Sequence, residues 1–229
     1  MRVSEIFDSI QGEGLNSGLM TTFVRFQGCS VGCEWCDTKY AQSFEGGTEM
    51  SIEDIAARCT QPYVCLTGGE PLEQDNDELR VLIRKLTGWE LSKDVSIETS
   101  GCFPKIKEKR EADGFTPPIS ATYVWDVKCP SAKARLPTLM EELRRLEYDG
   151  DSYFDQVKFV MRDDRDWDYM REVLPFVNPE VPVILQPVYD KNHVHLKELA
   201  EMMLKWGPPP NVRLGYQLHK LIWGNRRGK

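Results

Sequence analysis

The sequence predicts an α/β fold in which a mostly parallel sheet forms an open or incomplete barrel. Segments rich in β-branched and aromatic residues alternate along the chain with segments whose apolar residues follow helical spacing, which indicates repeated β-α units. About six or seven such strands are present, a number typical of an incomplete α/β barrel. With 229 residues, the chain is expected to form a single domain over residues 1–229.

The strands are predicted from their β-branched and aromatic residues and from the glycines that follow them. The opening segment, residues 4–10, is expected to be an edge strand. Core strands are expected at residues 20–26, 63–67, 95–98, 123–128, 156–161 and 181–186, with a last strand at residues 212–217. The chemistry of an α/β barrel lies at the carboxyl ends of its strands. Those ends carry residues 28–38, 68–70, 98–100 and 128–129, together with Gln186 and residues 217–219.

The helices are predicted from apolar spacing and from residues that cap helix ends. A capping box at residues 51–54 predicts a helix that runs to about residue 58. Apolar residues at helical spacing predict a second helix over residues 75–87, with Gly88 as its stop. Further helices are expected at residues 138–146, 165–174 and 195–206. Residues 104–120, charged and then proline-bearing, are expected to form an excursion over the surface.

Three cysteines lie within a stretch of eight residues. Cys29, Cys33 and Cys36 follow the spacing C-x3-C-x2-C. A structural zinc site needs four ligands, and no second C-x2-C or H-x3-H pair follows. A [4Fe-4S] cluster held by three thiolates instead leaves one iron without a protein ligand, where a small molecule can bind. Two plainer interpretations stay open: half of an intermolecular metal site, or three small buried residues.

Composition and charge argue against several classes of protein. The net charge is −7, which disfavours a nucleic-acid partner because phosphate binding depends on clustered basic residues. The sequence has no apolar run of membrane-spanning length and no signal pattern, so we expect a cytoplasmic protein without a membrane partner. Seven cysteines, three of them clustered, favour metal binding over a secreted disulfide framework.

The cysteine spacing, followed by Gly-Gly-Glu-Pro at residues 68–71, resembles the radical S-adenosylmethionine (SAM) enzymes. That resemblance implies a partial TIM-like barrel of the radical SAM type. It also implies that SAM binds the open iron and is cleaved to a 5′-deoxyadenosyl radical. The resemblance narrows to the 7-carboxy-7-deazaguanine synthase family on residues 9–14, 23–26, 36–38, 67–71, 186–187 and 217–219.

That family converts 6-carboxy-5,6,7,8-tetrahydropterin to 7-carboxy-7-deazaguanine with release of ammonia. The reaction is a lyase step of deazapurine biosynthesis, and one use of its product is queuosine, a tRNA modification. The resemblance implies three cofactors, which are a [4Fe-4S] cluster, recycled SAM and Mg2+. It further implies a pterin substrate, an electron donor such as flavodoxin or ferredoxin, and a homodimer.

The same resemblance assigns roles to individual residues. Cys29, Cys33 and Cys36 would hold the cluster, and Thr38 would bind Mg2+. SAM contacts are implied for Trp35, Asp37, Gly69, Lys128, Cys129 and Pro130. Substrate contacts are implied for Ile10, Gln11, Gly12, Glu13, Arg25, Thr67, Gln186 and His219. No side chain is expected to be catalytic beyond the chemistry of the cofactors.

The chemistry of three of these side chains suits a carboxylated pterin. The guanidinium of Arg25 can hold a carboxylate through two charge-assisted hydrogen bonds, and an ion pair at the strand edge is the alternative. Glu13 can accept hydrogen bonds from the amino-pyrimidinone edge of the ring, and a plain turn carboxylate is the alternative. Because Mg2+ takes few protein ligands, the Thr38 hydroxyl beside a substrate carboxylate would be sufficient.

The chain departs from some members of that family in two ways. The spacing between the first two cysteines is short, without an insertion, which does not affect the cluster ligands. Some relatives end soon after the histidine and use a terminal carboxylate as a substrate contact; here residues 221–229 follow, and that contact cannot be carried over. Two other functions stay open: an activase that makes a glycyl radical on a partner protein, and a non-catalytic iron-sulfur electron carrier.

Overall fold

The computed structural model describes residues 1–106, 120–148, 155–189 and 196–228. The strands within these residues are β1 (Arg2–Ile10), β2 (Met20–Phe26), β3 (Thr48–Glu49), β4 (Tyr63–Gly68), β5 (Asp94–Thr99), β6 (Ala121–Val127), β7 (Gln156–Met161), β8 (Val183–Pro187) and β9 (Val212–Leu214). The α-helices are α1 (Ile52–Arg58), α2 (Asn76–Thr87), α3 (Met140–Leu143), α4 (Asp164–Val173), α5 (Leu196–Trp206) and α6 (Leu218–Trp223). The predicted surface excursion falls largely on residues outside these ranges.

The described strands form one sheet in the order β3-β1-β2-β4-β5-β6-β7-β8-β9. β1 pairs antiparallel with β2 and β3, and every pairing from β2 to β9 is parallel. Each new strand from β4 onward therefore joins the same side of the sheet, as in a barrel. The sheet ends at β3 on one side and β9 on the other, so the barrel is open, and the predicted fold class is confirmed.

The two faces of the parallel strands differ in polarity because successive side chains point to opposite sides. One face is apolar and packs under the helices; its residues include Val24, Phe26, Leu66, Ile97, Trp125, Val127, Phe159 and Leu185. From α1, α2, α4 and α5 the same core receives Ile55, Leu82, Ile83, Met170 and Leu199. The intervening strand positions are polar and line a cavity; they include Arg25, Thr67, Glu98, Asp126, Lys158 and Gln186.

The Ser51 cap of α1 forms as the sequence predicts, and Asp75, expected as the first residue of the next helix, is instead the N-cap of α2. The Ser51 hydroxyl accepts the Asp54 backbone N–H at 3.1 Å, and the Asp75 carboxylate accepts two backbone N–H groups in the first turn of α2. Gly88 is the C-cap of α2. None of the described helices combines the length and the hydrophobicity that a membrane span requires.

Several predicted elements differ from the observed ones. The segment expected as an edge strand is internal, because the two-residue β3 pairs with the outer side of β1. The helix expected over residues 138–146 is the single turn α3, and the last strand ends at Leu214. α6, which carries His219, was not predicted. The helix expected from His195 is observed from Leu196, and His195 lies outside the described residues. The single-domain organisation stays a prediction.

We predict that Leu82→Ala lowers the free energy of unfolding by about 2 to 5 kcal/mol, since it removes buried methyl groups and leaves a cavity. Leu82 is fully buried on α2, whereas its neighbour Val81 is half exposed. The matched control, Val81→Ala, should change the free energy of unfolding by less than about 0.5 kcal/mol. Urea denaturation without cofactors, followed by circular dichroism, measures both variants. Equal losses would contradict the assignment of the buried helix face.

Candidate active site

A cavity at the carboxyl ends of the parallel strands collects most of the residues that the sequence indicated. Its lining includes Ile10, Gln11, Glu13, Arg25, Cys29, Cys33, Trp35, Cys36, Asp37, Thr38, Thr67, Gly69, Lys128, Gln186 and His219. Three predicted residues are not part of this lining. Gly12 packs against His219, where a Cβ atom would lie 1.9 Å from Nδ1. Cys129 and Pro130 instead line a separate depression beside residues 133–138.

The cysteine loop, residues 28–38, follows β2 and is fixed to the end of β4. The backbone N–H of Glu70 donates to the Gly28 carbonyl at 2.9 Å. A Cβ atom at Gly69 would lie 2.1 Å from the same carbonyl oxygen, so only glycine allows this approach. The Glu73 carboxylate accepts the backbone N–H of Ser30 at 2.8 Å. The Gly-Gly-Glu-Pro segment therefore has a structural role in holding the loop, in addition to lining the cavity.

Glu70 also joins the ends of two neighbouring strands. Its buried carboxylate accepts hydrogen bonds from the Thr99 hydroxyl at 2.7 Å and from the Ser100 backbone at 2.8 Å. It further accepts the Leu72 backbone N–H at 3.0 Å. Burial raises the pKa of Glu70. With its acceptor positions used in this way, Glu70 supports the cavity wall.

The cysteine side chains fit a cluster with one open iron. All seven cysteines are free, and only Cys29, Cys33 and Cys36 among them line the cavity. Burial raises the pKa of Cys33 to about 11 and also raises the pKa of Cys29, so cluster binding must displace thiol protons. In the described part of the chain, no three His, Cys, Asp or Glu side chains converge on a single metal ion. A cluster has no such requirement, because each thiolate binds its own iron.

Four buried charges of alternating sign line one wall of the cavity. Lys158 Nζ lies 2.6 Å from Glu13 Oε2 and 3.6 Å from Asp126 Oδ2, and Lys128 Nζ lies 2.8 Å from Asp126 Oδ2. Burial acts to raise the pKa of Glu13, but Lys158 and a hydrogen bond from Gln217 outweigh it and lower the pKa to about 2. Burial would lower the pKa of Lys158, but the carboxylates of Glu13 and Asp126 raise it. Both members of the Glu13–Lys158 pair are therefore charged at neutral pH.

Arg25 is partly engaged within the protein. Its Nε donates to Glu5 Oε1 at 2.9 Å, which is the ion pair that the sequence left open as an alternative. Its Nη1 donates to the Thr38 hydroxyl at 3.2 Å, and the guanidinium lies 5.9 Å from the Phe7 ring centroid. Within the described residues, Nη2 makes no hydrogen bond. The Nη2 edge of the guanidinium thus stays available to an anion in the cavity.

The Thr38 hydroxyl has room for one cation. It donates to Asp37 Oδ1 at 2.7 Å and accepts from Arg25 Nη1 at 3.2 Å. A hydroxyl has one donor and two acceptor lone pairs, so one lone pair is left for a ligand. This arrangement fits Mg2+, which takes few protein oxygens and keeps several waters.

Gln186 carries the clearest sign of a missing ligand. Its side chain is fully buried and lines the cavity, yet neither amide atom has a hydrogen-bond partner among the described residues. Buried polar groups are nearly always hydrogen-bonded, so an amide of this kind is expected to bind something in the cavity. The nearby Gln11 amide, by contrast, donates to Glu98 Oε1 at 3.1 Å. Burial lowers the pKa of His219 and favours its neutral form.

The sequence interpretation did not single out three charged residues of this cavity. Asp126 and Lys158 lie beside each other in β6 and β7, and Lys220 lies on α6. For Asp126 and Lys158, the signal available in the sequence was their position within predicted strands. A lone charge within a buried strand is costly unless it is paired, and both strand residues alternate with core side chains.

Known proteins similar to this chain indicate its family. A family model described as a 4Fe-4S single cluster domain matches residues 10–121. The 7-carboxy-7-deazaguanine synthase of Methanospirillum hungatei is 35% identical over 226 residues, which cover 97% of this chain and 85% of that protein. The protein of the same name from Thermoplasma acidophilum is 35% identical over 231 residues, which cover 100% of both chains.

A solved structure shares the fold. The crystal structure of QueE from Escherichia coli superposes with a TM-score of 0.68 at 24% sequence identity, over 95% of this chain and 94% of that one. The sequence relatives and the open parallel sheet lead to the same assignment. The chain therefore belongs to the 7-carboxy-7-deazaguanine synthase family.

Proposed function

We propose that this protein converts 6-carboxy-5,6,7,8-tetrahydropterin to 7-carboxy-7-deazaguanine with release of ammonia, as a radical SAM lyase of queuosine-type deazapurine biosynthesis. One observation carries the proposal. Three thiols and an unpartnered buried amide, Gln186, line the same cavity at the carboxyl ends of the strands. The name of the relatives that are 35% identical supports the same reaction.

The cofactors would occupy the side of the cavity formed by the cysteine loop. Cys29, Cys33 and Cys36 would hold the [4Fe-4S] cluster, which supplies one electron for the reductive cleavage of SAM. SAM itself would be held by side chains or backbone of Trp35, Asp37, Gly69 and Lys128. Cys129 and Pro130 lie outside the cavity, so their contribution would be to fix the neighbouring Lys128.

The substrate would lie between the cluster and the buried charges. Arg25 would bind the substrate carboxylate through its free terminal nitrogen, and Thr38 would bind Mg2+ beside it. Glu13, kept ionised by Lys158, would accept hydrogen bonds from the amino-pyrimidinone edge. The other contacts to the ring would be made by Ile10, Gln11, Thr67, Gln186 and His219. Gly12 lies outside the lining, so its contribution would be to allow the close packing of His219.

The reaction also needs an electron donor, which the chain does not supply. We propose flavodoxin or ferredoxin as the source of the electron, a homodimer as the working form, and the cytoplasm as the location. An electron carrier is the weaker alternative because it would close the fourth iron with a protein ligand. In the described part of the chain, no fourth cysteine lines the cavity. A glycyl-radical activase would have no use for the Arg25, Thr38 and Gln186 side of the cavity.

The test is anaerobic reconstitution with iron and sulfide, followed by incubation with SAM, reductant, Mg2+ and the carboxytetrahydropterin. Formation of 7-carboxy-7-deazaguanine and ammonia, detected by mass spectrometry and an ammonia assay, supports the proposal. SAM cleavage without turnover of the pterin would favour an activase. A reduced cluster that does not cleave SAM would favour an electron carrier.

We predict that Cys33→Ala abolishes both the cluster and SAM cleavage, because three thiolates are the minimum set in this cavity. The control is Cys102→Ala, since the Cys102 thiol donates to the Leu136 carbonyl at 3.3 Å and does not line the cavity. Iron and sulfide content, visible absorbance and 5′-deoxyadenosine formation are measured in parallel. A Cys33→Ala protein with a full cluster that cleaves SAM would contradict the ligand assignment.

A second prediction concerns Arg25. Loss of one partner of a buried charge pair costs about 2 to 5 kcal/mol, so Arg25→Ala should weaken substrate binding by roughly 30-fold or more. Arg25→Lys should recover part of this loss, since lysine keeps the charge without the planar fork. Equilibrium titration with the substrate and with a pterin that lacks the carboxylate measures the effect. If the mutant discriminates between the two ligands as strongly as the parent, Arg25 does not bind the carboxylate.

A third prediction concerns Lys158. Lys158→Met leaves Glu13 buried without its cation, so the pKa of Glu13 should rise and the carboxyl should be protonated in part near neutral pH. Substrate affinity should then fall at about pH 6 and recover as the pH rises to about 8, a trend absent from the parent, whose Glu13 stays ionised. Lys158→Arg, which keeps the charge, is the control. Parallel pH profiles for parent and Lys158→Met would rule out this role of Lys158.

A further inference from the structure

The residues after β9 contact β1 and the cysteine loop. β9 is at one edge of the sheet, whereas β1 lies near the opposite edge. The backbone N–H of Leu218 donates to the Gly12 carbonyl at 2.8 Å. Lys220 Nζ, on α6, lies 2.9 Å from Asp37 Oδ2. Arg227 Nε lies 2.9 Å from Glu5 Oε2. These contacts connect the open end of the barrel at β9 to elements from the beginning of the chain.

Lys220 and Arg227 lie at the two ends of one continuous series of polar contacts. From Lys220 this series of contacts passes through Asp37 to the Thr38 hydroxyl, which donates to Asp37 Oδ1 at 2.7 Å. It continues through Arg25, whose Nη1 donates to Thr38 and whose Nε donates to Glu5 Oε1. Arg227 binds the second oxygen of that Glu5 carboxylate. Thr38 and Arg25, which are proposed to bind Mg2+ and the substrate carboxylate, therefore lie in the middle of this series of contacts.

Lys220 and Arg227, at the two ends of this series, are each held by further contacts. The Lys220 side chain is only 9% exposed, and its ammonium also donates to Asn225 Oδ1 at 3.0 Å. The Arg227 guanidinium lies 3.9 Å from the ring centroid of Tyr40. The Tyr40 hydroxyl donates to Glu5 Oε1 at 2.6 Å. A buried ammonium with two oxygen partners has little freedom, so Lys220 is the stronger of the two anchors.

Lys220 has a direct consequence for the Thr38 hydroxyl. With Asp37 Oδ2 bound to Lys220, Asp37 Oδ1 is held where it accepts the hydroxyl proton of Thr38. The proton is then directed away from the remaining lone pair of Thr38, which stays free for a cation. Without Lys220, the Asp37 carboxylate can rotate and release that orientation.

We propose that Lys220 and Arg227 are positioning residues, which orient Thr38 and Arg25 through Asp37 and Glu5. The proposal rests on the proposed roles of Thr38 towards Mg2+ and of Arg25 towards the substrate carboxylate. It gives α6 and the residues that follow it a function in substrate binding, although neither cation is assigned a contact with the reacting atoms.

The test uses the full chain with reconstituted cluster and SAM but without reductant, so that binding is measured without turnover. The variants are Lys220→Met, Lys220→Arg, Arg227→Gln and Arg227→Lys. Arg226→Gln is the matched control, because it removes an adjacent, exposed arginine that has no ion pair among the described residues. Thr38→Ala is the reference for loss of the metal ligand. Each protein is titrated with the carboxytetrahydropterin, with the pterin lacking the carboxylate, and with Mg2+.

Lys220→Met is expected to raise the half-saturating Mg2+ concentration about tenfold, and Arg227→Gln to weaken binding of the carboxylated pterin about threefold, because Arg227 is more exposed. Lys220→Arg and Arg227→Lys should recover part of each loss, and Arg226→Gln should bind like the parent. In a Thr38→Ala background, Lys220→Met should add less than about a twofold effect, since both changes act on the same group. Hydrogen exchange of residues 36–38 should be faster in Lys220→Met even without ligands.

Two results would overturn the positioning role. One is a full Lys220→Met effect that persists in the Thr38→Ala background. The other is unchanged hydrogen exchange at residues 36–38 in Lys220→Met. Failure of the proposed function looks different: Thr38→Ala would then leave the Mg2+ titration unchanged, or the parent would bind both pterins equally well.

Discussion

The alternation of side chains along parallel strands is the constraint on which the rest of this structure depends. Each strand must supply apolar residues to the face under the helices, and the intervening positions then face the cavity. Phe26, Trp125 and Phe159 belong to the apolar face, whereas Arg25, Asp126 and Lys158 are their immediate neighbours on the other. The same residues that build the core therefore fix the placement of the site, and a slip of one position would exchange the two faces.

Polar groups on the inner face are stable only when they are paired. Lys158 is held between Glu13 and Asp126, and Glu70, which follows β4, is held by Thr99 and Ser100 at the end of β5. A buried charge without such partners would cost several kcal/mol, on the order of the whole stability margin of a domain. Gln186 is an exception among the cavity residues, since both polar atoms of its amide are buried and unpartnered, whereas Asp126 has one paired and one unpaired oxygen. The paired groups build the cavity wall, whereas the Gln186 amide is the group that we propose binds a ligand.

The sequence was most informative where the information is local. The cysteine triplet, the cap residue Ser51 and the positions of the parallel strands all depend on short-range spacing, and the structure contains that cap and those strands. The pairing of β3 with β1 was not predictable, because a two-residue strand has no periodicity of its own. Glu13, the partner of Lys158, and Asp37, the partner of Lys220, lie 145 and 183 residues away from them, so no local pattern reveals these pairs. The roles of individual site residues stay predictions.

An open barrel lacks the hydrogen bonds that join the first and last strands of a closed barrel. In a closed barrel, hydrogen bonds between the first and last strands fix both walls of the site. Here β9 and β1 are not paired, and among the described residues side chains and one backbone hydrogen bond, from Leu218 to Gly12, make the connection instead. Side-chain contacts respond more readily to single substitutions than a ladder of backbone hydrogen bonds does. The contacts around Thr38 and Arg25 therefore include residues from both ends of the described chain: Glu5 in β1, and Lys220 and Arg227 after β9.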